Sequence, residues 1–168
     1  IRHYADIDIL VAPSAHQQAK SLLKQEGYEM KQINRAVFQS VWVHPDWRFP
    51  VDLHTHVVPD FFSLELPFDE LYSRRESIDV GGQSVQGVSL SDAILIHSIH
   101  GSKHHWYRLE WVVAVALLMQ QHQDLPGLLG RAENLGCERM LLLAVLLSQR
   151  LFDARFGTLE SVLNEKSQ

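Results

Sequence analysis

Hydrophobic positions along the chain change period about halfway. Near the start, Ile7, Ile9, Leu10 and Val11 form a β-type run that ends at Ala12-Pro13, with Asp6 and Asp8 set into it at alternate positions. A strand with this pattern turns Ile7 and Ile9 into the core and both aspartates to the opposite face. Ser14 is placed to cap a helix over residues 15–26, in which Ala15, Ala19, Leu22 and Leu23 share a face and Gly27 supplies the stop. Residues 36–43 have strand composition, and residues 50–58 predict another strand around Val51-Asp52-Leu53-His54-Thr55-His56.

A Pro- and Phe-rich connection leads to residues 77–88, which read as a short hairpin turning at Gly81-Gly82, because paired glycines accept the positive φ of tight turns. Beyond it the period becomes helical. Ser91 and Asp92 open a helix whose Ile94, Leu95, His97, Ile99 and His100 run on into Trp106-Tyr107-Arg108-Leu109. Val112, Val113, Val115, Ala116, Leu117 and Leu118 form a second apolar stretch, and residues 125–135 and 140–152 add two more, separated by Gly136. The expected fold class is α+β, with a small sheet lobe over residues 1–88 and a helical bundle lobe over residues 89–168.

Composition narrows the function classes. With 168 residues and 46% hydrophobic content, the chain is long enough to bury a core. Fifteen basic against 20 acidic residues give a net charge of -5, which provides no general attraction to long nucleic acid or an anionic membrane. Cys137 has no cysteine partner, and no apolar run reaches the roughly 18 residues of a spanning helix. A reducing, cytoplasmic setting is the expectation. The chain opens on Ile1-Arg2-His3-Tyr4, with neither an initiator methionine nor a signal-peptide pattern, and so reads as a fragment.

Asp6 and Asp8 put two carboxylates on one small patch of an otherwise apolar strand. Like charges so placed are costly without a cation, and hard oxygen ligands suit Mg²⁺ or Mn²⁺. One more aspartate from another strand would complete a set for metal-assisted phosphoryl or nucleotidyl transfer, and Asp52 is the candidate. On spacing alone the simpler reading is that Asp6 and Asp8 face water at a strand end while Asp52 forms a salt bridge.

The stretch Arg2-His3-Tyr4-Ala5-Asp6-Ile7-Asp8-Ile9-Leu10-Val11, the helix ending in Gly27-Tyr28, and Val51-Asp52-Leu53-His54 together resemble the uncharacterised nucleotidyltransferase family of the polymerase-β-like superfamily. The resemblance continues through His100-Gly101-Ser102-Lys103-His104-His105-Trp106-Tyr107-Arg108-Leu109-Glu110-Trp111. It implies a small mixed sheet on which Asp6 and Asp8 bind divalent metal (Mg²⁺ or Mn²⁺) and Asp52 completes the site and helps deprotonate the attacking hydroxyl. The substrate it implies is a nucleoside triphosphate, whose monophosphate passes to a hydroxyl acceptor. Given the net charge, a small molecule or a protein is favoured as acceptor over nucleic acid. By matched position, Arg2 and Lys103 contact phosphate, and Arg108 is a further candidate cation.

Three departures support an alternative, a degenerate nucleotide-binding or regulatory module of the same fold. The superfamily's glycine-rich phosphate turn would fall before Ile1. Ala114 stands where an acid is expected, and the family's His-Trp is replaced by His54-Thr55. His54 and His56 share a face with Asp52, which places imidazoles near metal or phosphate, although a backbone-bonded histidine fits the pattern as well. His97, His100 and His104 have the spacing of a zinc-binding helix face, yet Gly101 occupies the place of the glutamate that a zinc protease needs. Packing explains those histidines more simply. Trp106, Leu109, Trp111 and Val113 read as a packed helix face and Cys137 as a small buried hydrophobe.

Overall fold

A computed structural model of the chain describes residues 6–34, 38–47, 49–58 and 62–152. The fold is α+β, as expected, and the chain divides into two compact units, Ile1–Ser73 and Arg74–Gln168.

The first unit is built on four strands, β1 (Ile7–Leu10), β2 (Glu29–Asn34), β3 (Gln39–Val43) and β4 (Val51–His54), in the order β1-β4-β3-β2. β1 runs parallel to β4, whereas β3 is antiparallel to both β4 and β2. Helix α1 (His16–Gln25) crosses from β1 to β2, and Ala19 and Leu23 on its inner face pack on a core of Tyr28, Trp42, Val51 and Leu53. Trp42 is fully enclosed, and its indole N–H donates to Ser40 Oγ at 2.9 Å, so the large ring is buried without an orphaned donor.

Two expectations need correction here. Ile7 and Ile9 are 50% and 38% exposed, because β1 is an edge strand and α1 covers that face only in part. Ile9 lines a shallow apolar groove with Leu22, Leu23, Tyr28 and Trp47 instead of being sealed in the core. Nor does Ser14 cap α1. Residues Pro13–Ala15 form a 3₁₀ turn, the helix starts from Ala15, and no side chain caps it. Pro13 at the first position of that turn sets φ for helical entry one residue before the serine.

The connection after β4 contains α2 (Phe68–Ser73), which buries Leu71. The second unit opens with the hairpin β5 (Glu76–Val80) and β6 (Gln83–Gly87), turning at Gly81 and Gly82 with φ of 62° and 83°. Four helices follow, α3 (Leu90–Lys103), α4 (Leu109–Gln121), α5 (Leu125–Leu135) and α6 (Glu138–Phe152). α3, α4 and α6 pack mutually around Ile94, Leu95, Ile99, Val112, Val115 and Leu141.

Helix α3 begins one residue earlier than Ser91 predicts, because Ser89 is the cap. Its hydroxyl oxygen accepts from the Asp92 N–H at 3.2 Å and its O–H donates to Asp92 Oδ2 at 2.7 Å. Asp92, fully buried, also pairs with Arg74 and Arg131, so the hairpin entry, α3 and α5 share one charge-compensated node. The helix does not continue into Trp106 as expected. It ends at Lys103, and His105 and Trp106 take left-handed φ of 52° and 53°. The Trp106 ring folds back over Gly101, and the Trp106 N–H donates to the Gly101 carbonyl at 2.9 Å. α5 stops where predicted, at Gly136, whose φ of 73° is the left-handed helix terminus that glycine adopts without strain. Cys137 is buried and free. Trp111 is buried as expected, while Leu109 is exposed.

A candidate metal-binding active site

The parallel register of β1 and β4 pairs Asp8 with Asp52 and Leu10 with His54. Residues paired in register point to the same face, and so do alternate residues of one strand. Asp6, Asp8, Asp52 and His54 therefore occupy one face of the sheet, opposite the face that carries Trp42, Val51 and Leu53. β3 adds Gln39, paired in register with His54, and Val41, paired with Asp52.

Within this face Asp52 is the buried member, 8% exposed, whereas Asp6 and Asp8 are exposed and His54 is partly buried. The Gln39 side-chain amide donates to Asp52 Oδ2, which fixes the plane of that carboxylate. His54 Nε2 lies 2.9 Å from Asp8 Oδ1. One ligand atom each from Asp8, Asp52 and His54 lies within 4.8 Å of the other two, and this is the one such group of three or more among the described residues. Asp6 is outside that trio and acts on it through charge.

Burial raises the Asp52 pKa above the ordinary carboxylate value, and the charges of Asp6 and then Asp8 push it further; His54 and the Gln39 amide only partly offset this. A divalent cation fits the donor set, since two carboxylates and an imidazole nitrogen converge on one point and their net charge is negative.

Beyond the carboxyl ends of β1 and β4 lies a cavity of about 380 Å³, lined among others by Pro13, Thr55, His56, Phe62, Glu65 and Asp69. Thr55 and His56 follow His54 directly in the chain, and the His56 ring lies 4.1 Å from that of Phe38. Among the described residues, no lysine or arginine lines the cavity. Crevices at the carboxyl ends of parallel strands are common ligand sites in open sheets.

Arg2 falls outside the described residues. Lys103 and Arg108 belong to the second unit. Burial lowers the Lys103 pKa, and Arg108 is paired with Glu110 at 2.9 Å. His100 and His104 have ring centroids 4.7 Å apart and both pack against the Trp111 ring, at 5.0 and 5.3 Å, so aromatic packing accounts for this helix face. With His97 they form no three-ligand group among the described residues. Gln39 was not anticipated. Nothing in its spacing marks it, because its place beside Asp52 depends on the pairing of β3 with β4.

A family model described as uncharacterised nucleotidyltransferase matches residues 1–153. The chain belongs to the uncharacterised nucleotidyltransferase family. The match covers both units, from the aspartate strand to the last described helix, and the general chemistry it assigns is transfer from a nucleoside triphosphate. No curated protein and no solved structure matches the chain. Among the described residues, no helix is long and apolar enough to cross a membrane.

Proposed function

We propose that this nucleotidyltransferase-family chain is a divalent-metal-dependent enzyme that moves a nucleoside monophosphate from a nucleoside triphosphate to the hydroxyl of a small acceptor. The observation that carries this reading is the register of Asp8 with Asp52 on adjacent parallel strands, which brings two carboxylates and the His54 imidazole together on one face. Bound metal would supply Lewis-acid charge to the triphosphate. Asp6, Asp8 and Asp52 are its proposed ligands, with Mg²⁺ or Mn²⁺ as the ion.

Asp52 is also the proposed base. Its carboxylate is buried on the sheet face and Gln39 holds it in one orientation, as a positioned proton acceptor requires. The acceptor oxygen attacks the α-phosphorus, its proton passes to Asp52, and the bond to the β-phosphate oxygen breaks to release pyrophosphate. Arg2 and Lys103, from family resemblance, and Arg108 as a further cation are proposed to bind triphosphate oxygens. The cavity beyond Thr55 supports a small acceptor. Its volume suits a small molecule, and the acidic Glu65 and Asp69 on its lining disfavour polyphosphate or RNA there.

Isothermal titration of the chain with ATP, GTP, CTP and UTP in the presence of divalent metal tests the reading. We expect metal-dependent binding of at least one nucleotide, abolished by Asp6→Ala combined with Asp8→Ala. Absence of metal-dependent binding of all four would refute it. A second reading, a nucleotide-binding module without turnover, rests on Ala114, buried in α4 at the position where the family pattern calls for an acid. Nucleotide binding without pyrophosphate release in the presence of any acceptor would select that reading.

A further inference from the structure

The carboxylate face contains a feature that a purely oxygen-ligated magnesium site does not need. An imidazole nitrogen, His54 Nε2, lies 2.9 Å from Asp8 Oδ1, and a ring nitrogen of His54 lies within 4.8 Å of a ligand atom on each of Asp8 and Asp52. Its position is fixed by the backbone. His54 follows Asp52 by two residues on β4, pairs with Leu10 on β1 and with Gln39 on β3, and is partly buried between those strands. Any ion held by both Asp8 and Asp52 therefore sits within reach of a nitrogen donor.

We propose that His54 Nε2 is a direct ligand of the metal and that the site consequently selects Mn²⁺ over Mg²⁺. This inference rests on the reading of the Asp8 and Asp52 face as a metal site. Mg²⁺ takes oxygen ligands almost exclusively and gives up its waters reluctantly, whereas Mn²⁺ accepts the same oxygen-rich octahedral shell and also binds imidazole. In the metal-free protein the Nε2 atom and Asp8 share a hydrogen bond. As a ligand, Nε2 would offer its lone pair, which requires the imidazole proton to be on Nδ1.

The test uses the whole chain with metal alone, without nucleotide, so that no base nitrogen can act as ligand. Free Mn²⁺ is followed by electron paramagnetic resonance during titration, Mg²⁺ is added as competitor, and bound Mn²⁺ is examined by electron spin echo modulation for coupling to nitrogen. We expect nitrogen coupling in the wild type and Mn²⁺ affinity at least about tenfold above that for Mg²⁺. Because the chain has 10 histidines, His54→Ala assigns the signal. It should abolish the coupling and weaken Mn²⁺ about tenfold or more, with Mg²⁺ changing less than about threefold. His54→Asp, which replaces nitrogen by oxygen, should narrow the gap between the two ions and serves if the alanine variant does not fold. Bound Mn²⁺ without nitrogen coupling, equal affinities for the two ions in the wild type, or coupling that persists in both variants would overturn the proposal. Pyrophosphate release separates it from the functional reading. Nitrogen-ligated Mn²⁺ without release defeats nucleotidyl transfer alone, release with oxygen-only ligation defeats the His54 proposal alone, and failure to bind either ion defeats both.

Discussion

A carboxylate buried between two further aspartates ionises against resistance, and at Asp52 this sets stability against chemistry. Burial first, then Asp6 and Asp8, raise its pKa in the folded state, while the unfolded chain releases the same proton near the ordinary 3.8. Between those two pKa values the folded state holds more protons than the unfolded one, so stability falls as pH rises through that interval. Below the unfolded pKa the penalty is absent; above the folded pKa it is complete. Asp52→Asn removes the charge and keeps an oxygen that can accept from Gln39. The metal-free variant should therefore melt higher than wild type at pH 7, by about 2–4 °C for each kcal/mol relieved, with the difference vanishing toward pH 3. Thermal melts in chelator at the two pH values check this, and a variant less stable than wild type at pH 7 would contradict it. Turnover should fall about a hundredfold or more in the same variant, the scale on which a lost general base is felt.

Elements differ in how much of them could be read from the sequence. The hairpin at Gly81-Gly82 and the end of α5 at Gly136 were legible because glycine marks positive φ directly. β2 was not, since Glu-Met-Lys-Gln-Ile-Asn lacks a clean alternation, and as an edge strand it has exposed residues along most of its length. α2, six residues long, is too short for a helical period to register. The break between α3 and α4 was missed for a tertiary reason. An apolar period runs across it, but Trp106 folds back over Gly101, and only that contact reveals the turn. A Cβ on Gly101 would collide with the Trp106 ring. Gly101→Ala should therefore destabilise the protein by about 1–3 kcal/mol, as overpacking does, even though alanine is the better helix former. Denaturant unfolding measures this; a stabilised variant would mean that the ring relocates freely and that the turn is held by something else.

At the scale of the whole molecule, the candidate site is a product of long-range pairing. That Asp6 and Asp8 share a face followed from the alternation of a strand, which is local. That Asp52 stands beside Asp8, His54 beside both and Gln39 behind Asp52 follows from β1 pairing parallel with β4 and β4 pairing antiparallel with β3, across more than 40 residues of chain between the two acidic strands. Family resemblance supplied Asp52, and nothing local supplied Gln39. A site assembled by tertiary pairing has a thermodynamic signature, because an unfolded chain cannot gather these ligands. Metal that binds the folded state alone stabilises it by mass action, by about 2.7 kcal/mol when the free ion is at a hundred times its dissociation constant. For a chain of this size that corresponds to a rise in melting temperature of about 5–10 °C, measurable by calorimetry with and without chelator. Asp8→Asn combined with Asp52→Asn should abolish the rise, because both carboxylate ligands are then neutral. Replacing the helix histidines His100 and His104, which pack on Trp111, should leave the metal-induced increment in place even if it lowers the baseline melting temperature. An increment that disappears with the helix histidines and survives loss of the two aspartates would relocate the metal to the helical unit.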